Sequence, residues 1–311
     1  MTMREEWMEV RVSVPSELSD AVSNFLTEAG SEGVCEEETE GNILEEKPET
    51  EGITVIKGYF PKDARLESRL AKLDNYLKSV STLFPHLPTP KYETEIITDV
   101  EWAESWKKYF KPIRVTRNIV IKPTWERYSV TGHDILIEMD PGMAFGTGQH
   151  ASTRMCLQAL EDLLLYERAT SGERVLDVGT GTGILGIAAA KLGAKGVICV
   201  DIDRQAVEIA RENVKINEVE DIVRVEYHDV RTMKGEHDLI VANLTDRALL
   251  RLRPNLISLL EPGGFIIISG IIEQNRAEIE EHYISPPLVL YRTLTEKEWL
   301  AYVFQKESGS L

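Results

Sequence analysis

Apolar and polar residues alternate from Trp7 to Val14, with Trp7, Met8, Val10, Val12 and Val14 apolar, which predicts a strand. Pro15, followed by Ser16 and Glu17, predicts a helix running to Ala29-Gly30. Two further predicted strands, Gly33–Glu38 and Ile53–Phe60, flank an acidic stretch. Asp63 is the expected cap of a helix reaching about Lys78, with Leu66, Leu70, Leu73 and Leu77 on one stripe. Tyr92–Thr98 can form a last strand before the pattern changes. After it, Trp102, Trp106 and Phe110 recur at i, i+4 and i+8, as in a short helix that docks two domains. Ile113–Pro123 and Asp134–Met139 read as strands leading onward.

From residue 174 apolar runs alternate with amphipathic stretches. The runs are Arg174–Val178, Gly196–Val200, Ile222–Tyr227, Asp238–Ala242, Phe265–Ser269, Leu288–Thr293 and Trp299–Phe304. Helices fit between most neighbours, but the third-to-fourth gap is short and only LTEKE separates the last two runs. That pattern predicts a doubly wound, mostly parallel seven-stranded α/β sheet whose last strand is antiparallel. The βαββαβ order of the first hundred residues suits a small α+β ferredoxin-like sandwich with no chemistry of its own, hence a recognition module. The expected domains are residues 1–98, a linker helix over 99–112, and a catalytic domain over 113–311.

Charge adds an asymmetry. The chain has 311 residues, is 42% hydrophobic and carries a formal charge of −17. Such a surplus argues against direct nucleic-acid binding and against anionic membranes, both of which reward basic groups. Residues 1–100 hold 10 Lys plus Arg against 21 Asp plus Glu, while residues 101–311 hold 25 against 31. The densest stretch, Glu36–Glu51, has eight Glu and one Lys. It is either a solubilising loop or a surface that steers a basic partner. Cys35, Cys156 and Cys199 lack zinc-ligand or CxxC spacing, so no metal site is expected. No run of about 18 apolar residues occurs and the opening MTMREEWMEV has no signal core, so a reducing cytoplasm is the expected compartment.

Chemistry concentrates after residue 140. In VLDVGTGTGILG, an apolar strand carries Asp177 and ends in Gly179, Gly181 and Gly183, just before a helix. Glycines permit a tight turn and close backbone approach, and the helix N-terminus offers amide donors. The segment Gly181–Gly186 also matches G-x-G-x-x-G, so a nicotinamide-dependent oxidoreductase is a competing reading. Asp201 ends the next strand, 22 residues beyond Gly179, where an acid can accept ribose hydroxyl protons of an adenosine ligand. Asp203 fits a helix cap, and Asp229 fits either an adenine contact or an exposed turn. Asn243 ends the strand DLIVAN at the sheet edge where ligands bind in open α/β folds. The loop DPGMAFGTGQHASTR, residues 140–154, could close over a ligand. His150 within it is a candidate general base or a structural hydrogen-bonding group.

These residues resemble a class I S-adenosylmethionine-dependent methyltransferase. The segments DPGMAFGTGQHAST, EWAESWKKYFKPIRV, ANLTD, SGII and EKEWLAYVF narrow the resemblance to the PrmA family, and similarity runs from Trp7 to the C-terminal hairpin. That family methylates ribosomal large-subunit protein eleven, using a small N-terminal domain for recognition and a linker helix before the catalytic domain. The resemblance implies S-adenosylmethionine as cofactor, contacted by Thr153, Gly179, Asp201 and Asn243, with Phe145 and Gly181 at neighbouring positions. It further implies a basic protein substrate; a monomer is expected. Where many members have His-Pro-Thr-Thr, this chain has His150-Ala151-Ser152-Thr153 and keeps the matching threonine. Asn243 is followed by Leu-Thr-Asp, not by the Pro-Pro-Tyr of glutamine and adenine N-methyltransferases.

The expected reaction is direct displacement at a sulfonium methyl by an amine. A lysine has a reference pKa of about 10.4 and must shed a proton first. Asn243 and the carbonyl of Leu244 are the expected acceptors that aim it, without a dedicated base. The alternatives are a methyltransferase of the same fold acting on another protein lysine or small amine, and a non-enzymatic ribosome-associated module.

Overall fold

A computed structural model describes residues 6–31, 33–36, 53–98, 111–140, 148, 150–170 and 172–308. The described residues divide into two compact units, one ending at Lys111 and the other beginning at Pro112. Residues 37–51 of the acidic stretch and 99–110 of the expected 99–112 linker helix lie outside the described residues; Lys111 and Pro112, the last two of that span, are described and are not helical.

The first unit runs β1 (Glu6–Pro15), α1 (Ser19–Glu28), β2 (Gly33–Glu36), β3 (Ile53–Pro61), α2 (Leu66–Leu83) and β4 (Lys91–Thr98). Its four strands form one antiparallel sheet in the order β2-β3-β1-β4. The alternation that predicted β1 now has its reason. Val10, Val12 and Val14 turn to the helices and pack with Ile56, Phe60, Val22, Leu26, Leu66, Leu73 and Leu77.

Two expectations about helix starts are corrected. Pro15 closes β1, opposite Ile53, and a 3-10 turn over Ser16–Leu18 precedes α1. Asp63 does not cap α2. It accepts from the Arg65 amide at 2.9 Å and from Arg69 Nη1 at 2.9 Å, closing a turn before the helix, which starts at Leu66. The helix also outruns Lys78, because buried Val80 extends the stripe of Leu73 and Leu77.

The second unit opens with a three-stranded sheet of β5 (Ile113–Arg114), β6 (Ile119–Lys122) and β7 (Ile135–Glu138). After α3 (Ala151–Glu161) come β8 (Val175–Val178), α4 (Ile184–Lys191), β9 (Val197–Asp201), α5 (Arg204–Ile216), β10 (Val223–Tyr227) and β11 (His237–Asn243). The chain continues through α6 (Asp246–Leu259), β12 (Leu260–Ile272), α7 (Arg276–Tyr283), β13 (Leu288–Glu296) and β14 (Trp299–Lys306). Seven strands make one sheet ordered β10-β9-β8-β11-β12-β14-β13, with β14 antiparallel to both neighbours. This is the seven-stranded class I methyltransferase architecture expected from the sequence.

Both faces of the central strands are buried, which is why they read as continuous apolar runs, whereas the edge strands β10 and β13 keep exposed positions. Val175, Cys199, Val241, Ile267 and Val303 enter one core, and Leu176, Val200, Ile240, Ile268 and Tyr302 the other. Strand order reverses between β8 and β11, so the loops after those two strands diverge to opposite sides and leave a crevice at the carboxyl edge.

Candidate cofactor and acceptor site

The turn after β8 is held by its own polar groups. Asp177 is buried, and its Oδ2 accepts from Thr180 Oγ1 at 2.6 Å and from the Gly186 amide at 3.1 Å. Burial pushes the Asp177 carboxyl up to about 6, against the pull of those two donors, and the nearby Asp201 charge pushes the same way. Gly179, Gly181 and Gly183 all have positive φ, at 70°, 55° and 84°. That left-handed region favours glycine, and the three bring the chain over the N-terminus of α4.

Asp201 ends β9 beside this turn. Its Oδ2 accepts from the Gly181 amide at 3.0 Å and its Oδ1 from the Asp203 amide at 3.0 Å. Asp203 caps α5 by accepting from the Gln205 amide at 2.9 Å, as expected. The far end of α5 reaches the same turn, where Asn213 Nδ2 donates to the Thr182 carbonyl at 2.9 Å. Asn217, one residue past α5, donates to the Glu138 carbonyl at 2.7 Å and accepts from the Glu138 amide at 2.9 Å. Helix α5 thereby ties the glycine turn to β7, the strand that leads towards residues 140–154. Sequence reasoning missed both asparagines; their i, i+4 spacing at the end of α5 is the signal that could have found them.

Asn243 ends β11 on the adjacent strand. Its Nδ2 donates to Thr153 Oγ1 at 3.2 Å, and its Oδ1 is buried with no hydrogen-bond partner among the described residues. A buried amide oxygen without a donor costs about 1–3 kcal/mol, so it calls for a reason. The neighbouring Leu244 amide donates to the Ser269 carbonyl at 3.0 Å, which fixes the corner against β12. Its side chain covers the glycine turn so closely that a Cβ on Gly179 would come within 2.3 Å of Leu244 Cδ2.

Thr153 lies buried in the first turn of α3, and His150 precedes that helix as its cap. His150 Nδ1 accepts from the Ser152 amide at 3.3 Å and stands 2.7 Å from Ser152 Oγ. The ring also meets Trp299 edge-on at 4.6 Å. This is the structural alternative for His150, since the capping nitrogen must keep its lone pair for the helix. Arg154 pairs with Glu296 of β13, holding α3 to the terminal hairpin.

Asp229 caps the 3-10 turn that follows β10. Both its oxygens engage Arg231, its Oδ1 also accepts the Arg231 amide at 3.0 Å, and these contacts lower its pKa to about 2. Phe145 lies outside the described residues. Ile202, which the motif reading passed over, is 71% exposed immediately after Asp201. An apolar side chain standing out at the ligand edge is suited to cover a flat base; only its place after the strand-end acid marks it in sequence.

The comparisons agree with this geometry. The family described as "Ribosomal protein L11 methyltransferase (PrmA)" matches residues 6–307. The chain belongs to the PrmA family. The ribosomal protein L11 methyltransferase of Pelobacter propionicus is 36% identical, with 98% of this chain and 99% of the relative covered. That of Listeria innocua is 35% identical over 97% and 99%. The ribosomal protein L11 methylase structure from Lactobacillus delbrueckii subsp. bulgaricus superposes with a TM-score of 0.57 at 34% identity, covering 64% of this chain and all of that one.

As a PrmA-family methyltransferase the chain uses S-adenosylmethionine, and the residues present fit that group. Asp201 suits ribose hydroxyls, Ile202 the base, and the left-handed glycine turn an approach of ligand to backbone. Asn243 Oδ1 is the acceptor still lacking a donor.

Proposed function

We propose that this chain methylates amines of ribosomal protein L11, the substrate named for its relatives. The observation that carries the reading is the buried, partnerless Asn243 Oδ1, oriented by the bond from Asn243 Nδ2 to Thr153. A neutral carbonyl oxygen in that position accepts an N–H and leaves the nitrogen lone pair to point elsewhere. The Leu244 carbonyl is the second acceptor. Two neutral acceptors aim an amine without holding its charge, and an apolar slot favours loss of the ammonium proton by desolvation. Aim of this kind is worth several kcal/mol when reacting atoms are held in line.

Asp201, Gly179, Gly181, Ile202 and Thr153 are the groups that would hold the cofactor. When bound, S-adenosylmethionine supplies a methyl already attached to a good leaving group, so no acid is needed from the protein. The roles of the two units follow the same division. Residues 1–98 recognise the substrate, residues 99–112 join the parts, and residues 113–311 carry catalysis. The acidic surplus of the first hundred residues supports that assignment, because ribosomal proteins are generally basic.

The test is transfer from labelled S-adenosylmethionine into purified L11, read by intact-protein mass spectrometry with peptide mapping. Methyl mass on L11 amines is the expected result. Label appearing only on another protein lysine or a small amine would replace L11 as substrate while keeping the site.

A further inference from the structure

Gly270 sits where β12 loses register with β14, between Ser269 and Ile271, and its φ is +87°. A Cβ added there would lie 2.3 Å from the Leu244 carbonyl oxygen, 2.9 Å from the Leu244 carbonyl carbon and 3.2 Å from Asn243 Oδ1. All three atoms belong to the acceptor corner. Two of them are backbone, so they cannot swing aside as the tip of a side chain can. The corner is also pinned to β12 one residue earlier, by the bond from the Leu244 amide to the Ser269 carbonyl. A side chain at 270 would therefore lever the Leu244 carbonyl, which belongs to the Leu244–Thr245 peptide, away from that fixed point.

We propose that Gly270 is a positioning residue for methyl transfer. Its missing side chain lets the Leu244 carbonyl and the Asn243 side chain lie against β12, which aims Asn243 Oδ1 and the Leu244 carbonyl at the reacting amine. The sheet core does not require glycine here. The neighbours Ile268, Ser269 and Ile271 are all fully buried and supply the packing of this stretch. What glycine supplies is the close approach, together with a backbone conformation that other residues rarely adopt. The inference rests on Asn243 and Leu244 being the amine seat, and it predicts loss of turnover with the cofactor seat intact. A misplacement of about 1 Å is enough to cost on the order of a hundredfold in rate.

The experiment compares the full-length Gly270→Ala, Gly270→Asn and Ile271→Val variants with the parent. Binding of S-adenosylhomocysteine is followed by calorimetry, and kcat and KM with the purified protein substrate. Asparagine tolerates the left-handed region, so Gly270→Asn relieves backbone strain but keeps the intruding Cβ. Ile271→Val loosens the same bulge without touching the corner. Both Gly270 variants should lose kcat by about thirtyfold or more, with Kd for S-adenosylhomocysteine within about threefold of the parent. Ile271→Val should stay within about twofold in both. If Gly270→Ala does not fold, Gly270→Asn alone decides. A Gly270→Asn enzyme turning over within about threefold of the parent overturns the proposal. So does a variant whose cofactor affinity falls as far as its kcat. Near-normal turnover by Asn243→Ala would instead remove the amine-seat reading itself, and the two failures are separable.

Discussion

The strand ends at Val178 and at Asn243 belong to neighbouring strands, yet they pair their polar groups to different degrees. At the first, Asp177 serves Thr180 and Gly186, Asp201 serves Gly181 and Asp203, and Asn213 serves Thr182. At the second, the Asn243 amide is tied by its nitrogen to Thr153 and its oxygen is left buried without a donor. The first end is a nearly finished seat, in which Asp177 Oδ1 is a buried oxygen left without a hydrogen-bond partner among the described residues. The second holds an acceptor in reserve at a cost in stability. A methyl-transfer site needs both: a fixed electrophile and an open acceptor that a nucleophile completes.

The largest expected effect breaks the reserved side of this comparison. Asn243→Ala should lower kcat by about a hundredfold to a thousandfold, the scale seen when one preorganised polar group is removed from a reacting centre. Its thermal midpoint should hold or rise, because an unsatisfied buried oxygen is gone. Steady-state transfer assays beside thermal melts check both; near-normal transfer would remove the acceptor role. Asp201→Asn acts on the nearly finished side. It should weaken S-adenosylhomocysteine binding by about tenfold to a hundredfold, the worth of charge-assisted hydrogen bonds, with kcat at saturating cofactor little changed. Calorimetry alongside saturation kinetics separates the two constants.

The two ends also differed in how far their sequence revealed them. The glycine turn and Asp201 were legible because backbone geometry restricts residue choice there: positive φ calls for glycine, and a strand-end acid has a fixed place. Asn243 was legible as a residue, but its bare oxygen was not, since that depends on Thr153 ninety positions away in sequence. Nothing local to the SGII segment gives Gly270 a reason; the reason is the carbonyl of Leu244, just past β11, a contact that no local pattern records. The doubly wound sheet with its antiparallel last strand followed from alternating apolar runs, whereas the insertion of β14 between β12 and β13 did not, nor did the start of α2, because Asp63 spends its carboxylate on Arg65 and Arg69. Asp229 shows the same limit: its place after β10 left an adenine contact and an exposed turn equally open, and its pairing with Arg231 two residues on is not legible from that place.

The nearly finished seat carries one tension, the burial of Asp177. Its folded pKa of about 6 lies above the usual carboxylate value, so the folded chain keeps a proton that the unfolded chain releases. Between about pH 4 and pH 6 the folded state binds more protons, and stability should fall as pH rises through that window, then level off. The span is up to about 3 kcal/mol for a shift of roughly two units. Asp177→Asn removes the ionisation and keeps an oxygen for Thr180 and Gly186. It should flatten the slope and melt higher than the parent at pH 7 to 8. Denaturant titrations from pH 4 to pH 8 check this; an unchanged slope in the variant would assign the pH dependence to other groups.

The smallest expected effect separates the acidic first hundred residues from the site altogether. Their surplus, 21 acids against 10 bases, can steer a basic protein over distances that salt screens, with a Debye length of about 8 Å at physiological ionic strength. The cofactor seat works through hydrogen bonds at contact, which salt hardly reaches. Raising sodium chloride from about 50 to 300 mM should therefore lower kcat/KM for the protein substrate by about threefold to tenfold, mainly through association. Over the same range, Kd for S-adenosylhomocysteine should move by less than about twofold. A kcat/KM that ignores salt would leave the surplus as a solubilising surface and take away the electrostatic argument for a recognition unit. Parallel losses in both constants would mean that salt acts on the catalytic unit itself, and the division of labour between the two units would need a different basis.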